Sequence, residues 1–250
     1  MAQHRRRPKG RSEPSPLVPL GDDEGTIAGL ARAGRHEQAV QAATAALAAT
    51  DLSPQAQLHL LALRIDSLLA LLRLNDAEAD ANAMLALAKT TRSVAHEAHA
   101  LAYLAHVQTR QERFEVALAT ATAAVAAARR SRSRVLIALA LLRQGTATFM
   151  RKPVDAVAAA DEAARLFAAL GQTALQGQAL RVLAAARMSL EDVPEHRALM
   201  QRAIALARAS GDGGGEARAI NSLYSSDPDL ARRVRGLHQA LRVAQDAGDL

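Results

Sequence analysis

Small residues spaced four and then three apart recur along this chain at intervals of 37 to 40 residues, and no other feature restricts its fold as strongly. The clearest copy lies in residues 112–128, where Ala117, Ala121 and Ala124 share one face of a helix and let a neighbouring helix approach closely. Ala39, Ala43 and Ala46 come first, then Ala79, Ala83 and Ala86, while Ala156, Ala160 and Ala163 follow the clearest copy. Degenerate copies close the series as His196, Met200 and Ala203, and as Arg233, Leu237 and Ala240. Self-similarity at such a period marks stacked helical units, each burying its apolar face only against its neighbours.

Another helical stretch precedes each triad, predicted over 22–33, 54–73, 93–110, 133–150, 173–190 and 214–225. Asp22, Asp23 and Glu24 put negative charge at the positive end of the first helix dipole. Pro54, Pro153 and Pro228 suit first turns, where a missing N–H costs little, and Asp227 reads as the capping acid before Pro228. Gly171, Gly211 and Gly248 suit the left-handed residue that ends a helix. About a quarter of the residues are Ala, and no β-branched or aromatic run is long enough for a strand. These signals predict an all-α array of twelve helices in six antiparallel hairpins over residues 22–250, elongated in solution.

The formal charge of +6 is concentrated at one end. Arg5, Arg6, Arg7, Lys9 and Arg11 carry no accompanying acid, leaving 26 basic and 25 acidic residues beyond them. Residues 1–21 also hold four prolines and no helical period, the pattern of a disordered basic tail. That tail has no apolar core of a secretory signal, and no apolar run approaches the ~20 residues needed to span a bilayer. Absence of cysteine excludes a thiolate nucleophile and Cys-ligated zinc and fits a reducing compartment, so a cytoplasmic protein without membrane insertion is expected.

The segments Gly34-Arg35-His36-Glu37-Gln38-Ala39-Val40, Glu112-Arg113-Phe114-Glu115-Val116-Ala117-Leu118 and Lys152-Pro153-Val154-Asp155-Ala156-Val157 resemble the inter-helix turn of the tetratricopeptide repeat superfamily. Residues 203–212 and 240–249 resemble its closing turn. The resemblance implies a right-handed superhelix, an α-solenoid whose concave groove binds a protein or peptide. The spacing exceeds that family's usual ~34 residues, and Phe114 is the one well-placed large aromatic. Long Ala-rich repeats of this style are similar to regulatory arms of bacterial signalling proteins, including nucleotide cyclases and ATPase-linked transcription activators. The final Ala-Gly-Asp-Leu reads like another joint, as in an array that continues into a longer protein.

His96, His99 and His106 fall within a wedge of roughly 80° on one helix, which raises a metal site, but no carboxylate or fourth ligand shares that face. If Ala117 fixes the register, the resemblance implies that His99, Ala102, His106 and Arg110 line the groove, with Ala102 leaving room for a ligand. Gln178 and Arg181 match His99 and Ala102 two hairpins later. The alternative for all of these is ordinary partly buried or solvated polar residues. Arg129, Arg130, Arg132 and Arg134 form the densest charge run of the body; with Arg5, Arg6 and Arg7 they support a second reading, a nucleic-acid-associated scaffold. Against it, no aromatic is interleaved for base stacking, and cations suit a helix C-terminus. The Gly-rich residues 211–215 lack the Lys-Ser/Thr of a phosphate loop and fall where a joint is needed. With no nucleophile elbow, converging carboxylates or cofactor fingerprint, the sequence reads as a non-enzymatic protein-interaction scaffold without a cofactor.

Overall fold

The computed structural model describes residues 22–248. It contains α1 (Asp22–Arg32), α2 (His36–Leu47), α3 (Pro54–Ala70), α4 (Leu74–Thr91), α5 (Val94–Arg110), α6 (Phe114–Ser131), α7 (Arg134–Thr148), α8 (Pro153–Ala169), α9 (Thr173–Ser189), α10 (Val193–Ser210), α11 (Gly213–Tyr224) and α12 (Leu230–Asp246). The chain is an all-α solenoid of six hairpins, and the predicted first helices match α1, α3, α5, α7, α9 and α11 to within three residues at each end. No helix among the described residues is long and apolar enough to cross a membrane. The basic tail, with Arg5, Arg6 and Arg7, lies outside the described residues.

Helix starts explain why the hairpins share one register. Ser53, Ser93 and Ser133 cap α3, α5 and α7, each side-chain oxygen accepting the N–H three residues on. Asp212 caps α11 by accepting from the Gly215 N–H at 2.8 Å. A Cβ on Gly215 would collide with that carboxylate, so this glycine serves a helix cap. In the first five even-numbered helices the inward residues stand four, eight and eleven places after the N-cap. These are Ala39, Ala43 and Ala46; Ala77, Ala81 and Met84; Ala117, Ala121 and Ala124; Ala156, Ala160 and Ala163; and His196, Met200 and Ala203. All are buried except Ala46, which is half-buried. Large side chains from the facing helices, among them Leu58, Ile65, Leu136 and Leu142, fill the space beside this seam.

Three local expectations are corrected. Ala79, Ala83 and Ala86 are exposed, and the second hairpin packs through Ala77, Ala81 and Met84, two residues earlier. Leu72 takes the left-handed position of that turn at φ 57°, so the turn carries no glycine to fix the register from sequence. At the last hairpin Asp229 is the N-cap, accepting from the Arg232 N–H at 3.0 Å. Asp227 is instead buried, and Arg197 of the preceding hairpin donates to it at 2.8 Å. In α12 the buried residues are Gly236 and Ala240, while Arg233 and Leu237 are half-buried. The Tyr224 ring lies directly on the Gly236 backbone, leaving no room for a Cβ.

Curvature follows from unequal packing on the two sides. Each odd-numbered helix touches the next odd one, from α1 with α3 through α9 with α11, whereas no two even-numbered helices touch. The odd helices therefore line the inside of the curve and the even ones spread over its outside. Curvature is strong enough that the two ends meet: a Cβ on Gly34, in the α1–α2 turn, would collide with the backbone of Gly248 after α12. The stack is thus a ring with a lumen, not the elongated rod the repeat pattern suggests.

The seam gives a direct test. Ala81→Leu should cost about 1–3 kcal/mol by overpacking, while Ala83→Leu, on the exposed face, should stay within about 0.5 kcal/mol of the parent in denaturant melts. The reverse order would reinstate the register read from the sequence.

Candidate inner-face recognition site

Positions six, ten, thirteen and seventeen after an odd-helix N-cap fall in one narrow stripe, because each residue advances about 100° around a helix. On α3 the stripe carries His59 and Asp66; on α5 it carries His99, Tyr103, His106 and Arg110; on α7 it carries Arg143. His59 and His99 share one repeat position, as do Asp66 and His106, and Tyr103 and Arg143. Arg143 of α7 and Asp66 of α3 lie within electrostatic reach although α5 stands between them. Side chains two hairpins apart can approach in this way only on the inside of the curve.

The contacts within this cluster are few. The Tyr103 hydroxyl donates to Asp66 Oδ2 at 3.2 Å, and the His99 ring meets the Tyr103 ring edge-on at 5.2 Å between centroids. His99 Nε2, His106 Nδ1 and Arg143 Nε are buried without a hydrogen-bond partner in the protein. Arg143 is only 6 % exposed, and no carboxylate among the described residues stands within ion-pair distance of it.

Burial sets the protonation states. Desolvation lowers His99 to about 4, with His59 and His96 adding repulsion. His106 lies well below the usual imidazole range, chiefly by desolvation and secondarily through Arg143 and Arg110. Both imidazoles are therefore neutral at neutral pH. Asp66 is exposed on the inner side of α3; desolvation raises its pKa, partly offset by Arg143 and the Tyr103 hydrogen bond. Tyr103 is raised well above 10 by desolvation and then by Asp66.

The residues singled out by sequence separate on this frame. His99, Ala102, His106 and Arg110 all belong to the inner side of α5, but Ala102 is buried and Arg110 is exposed. Gln178 and Arg181 of α9 stand six and nine residues after their N-cap, matching His99 and Ala102, and both are half-buried. Desolvation and repulsion from Arg218 bring Arg181 down to about 10. His96 leaves the cluster: its Nδ1 meets Thr91 Oγ1 and its Nε2 meets Gln55 Oε1, each at 3.0 Å, tying α5 to its neighbours. No group of three or more His, Cys, Asp or Glu side chains among the described residues could hold a metal ion. Arg129, Arg130, Arg132 and Arg134 are exposed around the α6–α7 turn, where Arg132 is left-handed and Arg130 pairs with Glu97 at 3.2 Å. Sequence reasoning missed Asp66, Tyr103 and Arg143, whose signal is the shared offset from a serine N-cap.

A cleft between α8 and α10, over α9, lies away from this cluster. Asp161 and Arg165 on its wall already pair with each other at 3.1 Å. Unpartnered buried polar atoms also occur elsewhere, among them Arg187 Nε on this cleft and His196 Nε2 in α10, but the inner face gathers three of them, His99, His106 and Arg143, on adjacent helices.

No protein-family model matches the chain, and no curated protein matches it in sequence. Solved structures match its fold. BtubC (BKLC) from P. vanneervenii is 18 % identical, with a TM-score of 0.60 over 90 % of this chain and 92 % of that one. A signal transduction ATPase with numerous domains and a tetratricopeptide repeat sensor, from Pyrococcus horikoshii, is 15 % identical, with a TM-score of 0.57 over 89 % of this chain and 35 % of that one. A Rap protein complexed with competence and sporulation factor is 12 % identical, with a TM-score of 0.64 over 90 % of this chain and 65 % of that one. The chain thus spans about a third of the ATPase and just under two thirds of the Rap protein. The fold is a tetratricopeptide-like helical solenoid.

The neutral histidines predict acid sensitivity. A histidine with a lowered folded pKa contributes stability that is complete above its unfolded value of 6.5 and is lost as pH falls to about 4. For His99 the loss is about 3 kcal/mol when complete. Asp66 opposes it, since a raised acid holds its proton better in the folded state and regains stability as pH falls. His99→Leu should fold, because Leu139 occupies the same repeat position of α7. Thermal melts between pH 7.5 and 4 should show a smaller fall for His99→Leu than for the parent; equal falls would mean that His99 protonation is not resisted by folding.

Proposed function

We propose that this chain is a non-catalytic interaction scaffold that holds a peptide or helix of a protein partner against the inner face of its ring. The observation that carries this reading is the unfilled hydrogen-bonding capacity of His99, His106 and Arg143 on that face. Leaving such atoms buried without partners costs roughly 1–3 kcal/mol each, so a ligand that satisfies them recovers binding energy there. A preformed curve limits the ordering that binding requires. The fold likeness to a Rap protein solved with its bound factor supports protein-partner recognition by this architecture. A second reading has a specific support: the likeness to a repeat sensor within a signalling ATPase favours a sensory or regulatory arm of a larger protein. The two are compatible, since a sensor arm also needs a ligand face.

Photo-crosslinking side chains placed at Arg110 or Gln178 on the inside, and at Ala83 or Ala123 on the outside, distinguish the faces in cells of the native host. Adducts of defined mass are expected from the inside positions. Adducts from the outside positions alone would overturn the inner-face reading.

A further inference from the structure

We infer that the outer cleft between α8 and α10 is a second docking site, which takes an acid-flanked amphipathic helix of a partner protein with one leucine-sized side chain as its anchor. The site is independent of the inner-face ligand. Gln176, Leu180, Leu183 and Arg187 on its floor stand four, eight, eleven and fifteen places after the α9 N-cap, roughly 200° around that helix from the inner stripe. The cleft exists because α8 departs from the repeat at two successive turns of one face. Twelve places after the N-cap, α2, α4, α6, α10 and α12 carry Leu47, Leu85, Val125, Ile204 and Leu241, whereas α8 carries Ala164. One turn further on, α4, α6 and α10 carry the long side chains of Lys89, Arg129 and Arg208, whereas α8 carries Ala168. Truncation at both places leaves a cleft of about 340 Å³ between α8, α9 and α10. Its base is formed by Leu180, Leu183 and Leu199, all buried.

The repeat itself shows what fits, since every other even-numbered helix puts an aliphatic side chain at the place where α8 has Ala164. A partner side chain of that kind enters as a knob into the hole. The lining runs from Val157 to Ala168 along α8 and from Gln176 to Arg187 along α9, roughly 16 Å at 1.5 Å per residue, or three helical turns. Two flanking helices over an apolar floor of that length suit a helix laid in the groove. Charge on the rim selects the flanks of that helix. Arg165 on the α8 wall is 72 % exposed and pairs only with Asp161 of its own helix. Arg202 on the α10 wall is exposed, with no carboxylate among the described residues within ion-pair distance. Arg187 Nε is buried without a partner, and Asp192 stands 3.7 Å from its Nη1. Glu195, the remaining acid of the lining, lies about two turns before Arg202 on α10. Acids beside the partner's anchor meet these guanidinium groups, whereas a basic flank would set like charges together in a half-closed groove.

Two substitutions close the cleft with residues the repeat already accepts, because α4 carries Leu85 and Lys89 at the matching places. Ala164→Leu fills the base and should raise the melting temperature by about 2–4 °C. Ala168→Lys covers the mouth from an exposed position and leaves the packing untouched. A phage-displayed library of helical peptides randomised along one face, selected on the full chain, supplies the probes. Enriched clones should share one Leu, Ile, Met or Phe with Asp or Glu three or four residues away. As fluorescent peptides they should bind both Ala164→Leu and Ala168→Lys about tenfold more weakly than the parent, and Arg143→Leu as tightly as the parent. Binding that survives both cleft substitutions, or that is lost in Arg143→Leu alone, would overturn the outer site. Enrichment of Lys or Arg beside the anchor would overturn the acidic flank. A selection that enriches nothing would overturn the partner helix, as would a dimer of the parent that Ala164→Leu makes monomeric, which would put a second copy of this chain in the cleft.

Discussion

The close approach of helices across a seam of small side chains is the constraint on which this structure depends. An alanine contributes little apolar area by burial, so Ala117, Ala121 and Ala124 do not hold α6 in place by themselves. What they provide is proximity, which lets Leu136, Leu139 and Leu142 of α7 pack at full density beside them. Because the odd helices touch one another and the even ones do not, every added hairpin turns the array the same way. Five such steps between six hairpins bring Gly34 against Gly248, and the odd helices form the inside of the curve.

Exposed ion pairs run along the edge where each hairpin turns. Glu78 pairs with Arg113 at 2.7 Å and Glu115 with Arg151 at 2.8 Å, each linking one hairpin to the next. Solvated pairs of this kind contribute about 0–1 kcal/mol, so they tune the stacking without determining it. The chemistry differs on the inner face. There Tyr103 and Arg143 stand where the same repeat position carries Leu63 in α3 and Val182 in α9, and His99 where α7 carries Leu139, so polar groups enter low-dielectric surroundings without full matching. Departure from the repeat's own apolar pattern marks the site more clearly than any single residue does.

Helix number, order and hairpin pairing were legible because they rest on local signals: acids and prolines at helix starts, glycines after helix ends, and a recurring small-residue face. Register was legible where a turn carries a diagnostic residue, as at Gly34 and Gly171, both left-handed. It failed in the second hairpin, where Ala77, Ala79, Ala81 and Ala83 alternate and either set completes a helical face. Leu72 supplies the left-handed turn there without announcing it, and Met84 fills a place that the pattern reserves for alanine. Part of the candidate site was visible for the same reason that the fold was, since His99 and His106 repeat at helical spacing. Asp66 and Arg143 were not visible, because nothing local in α3 or α7 says that the curve will bring them together across α5. Closure of the ring was invisible as well, being a sum of small rotations that no single repeat displays.

Backbone hydrogen–deuterium exchange of the full chain, alone and with a bound partner, tests most directly whether the inside of this curve is the recognition surface. The account predicts new protection concentrated in α5, α7 and α9, whose side chains line the lumen, with little change in α4, α6 and α8. Protection confined to the even-numbered helices, or to the arginine-rich α6–α7 turn, would contradict it.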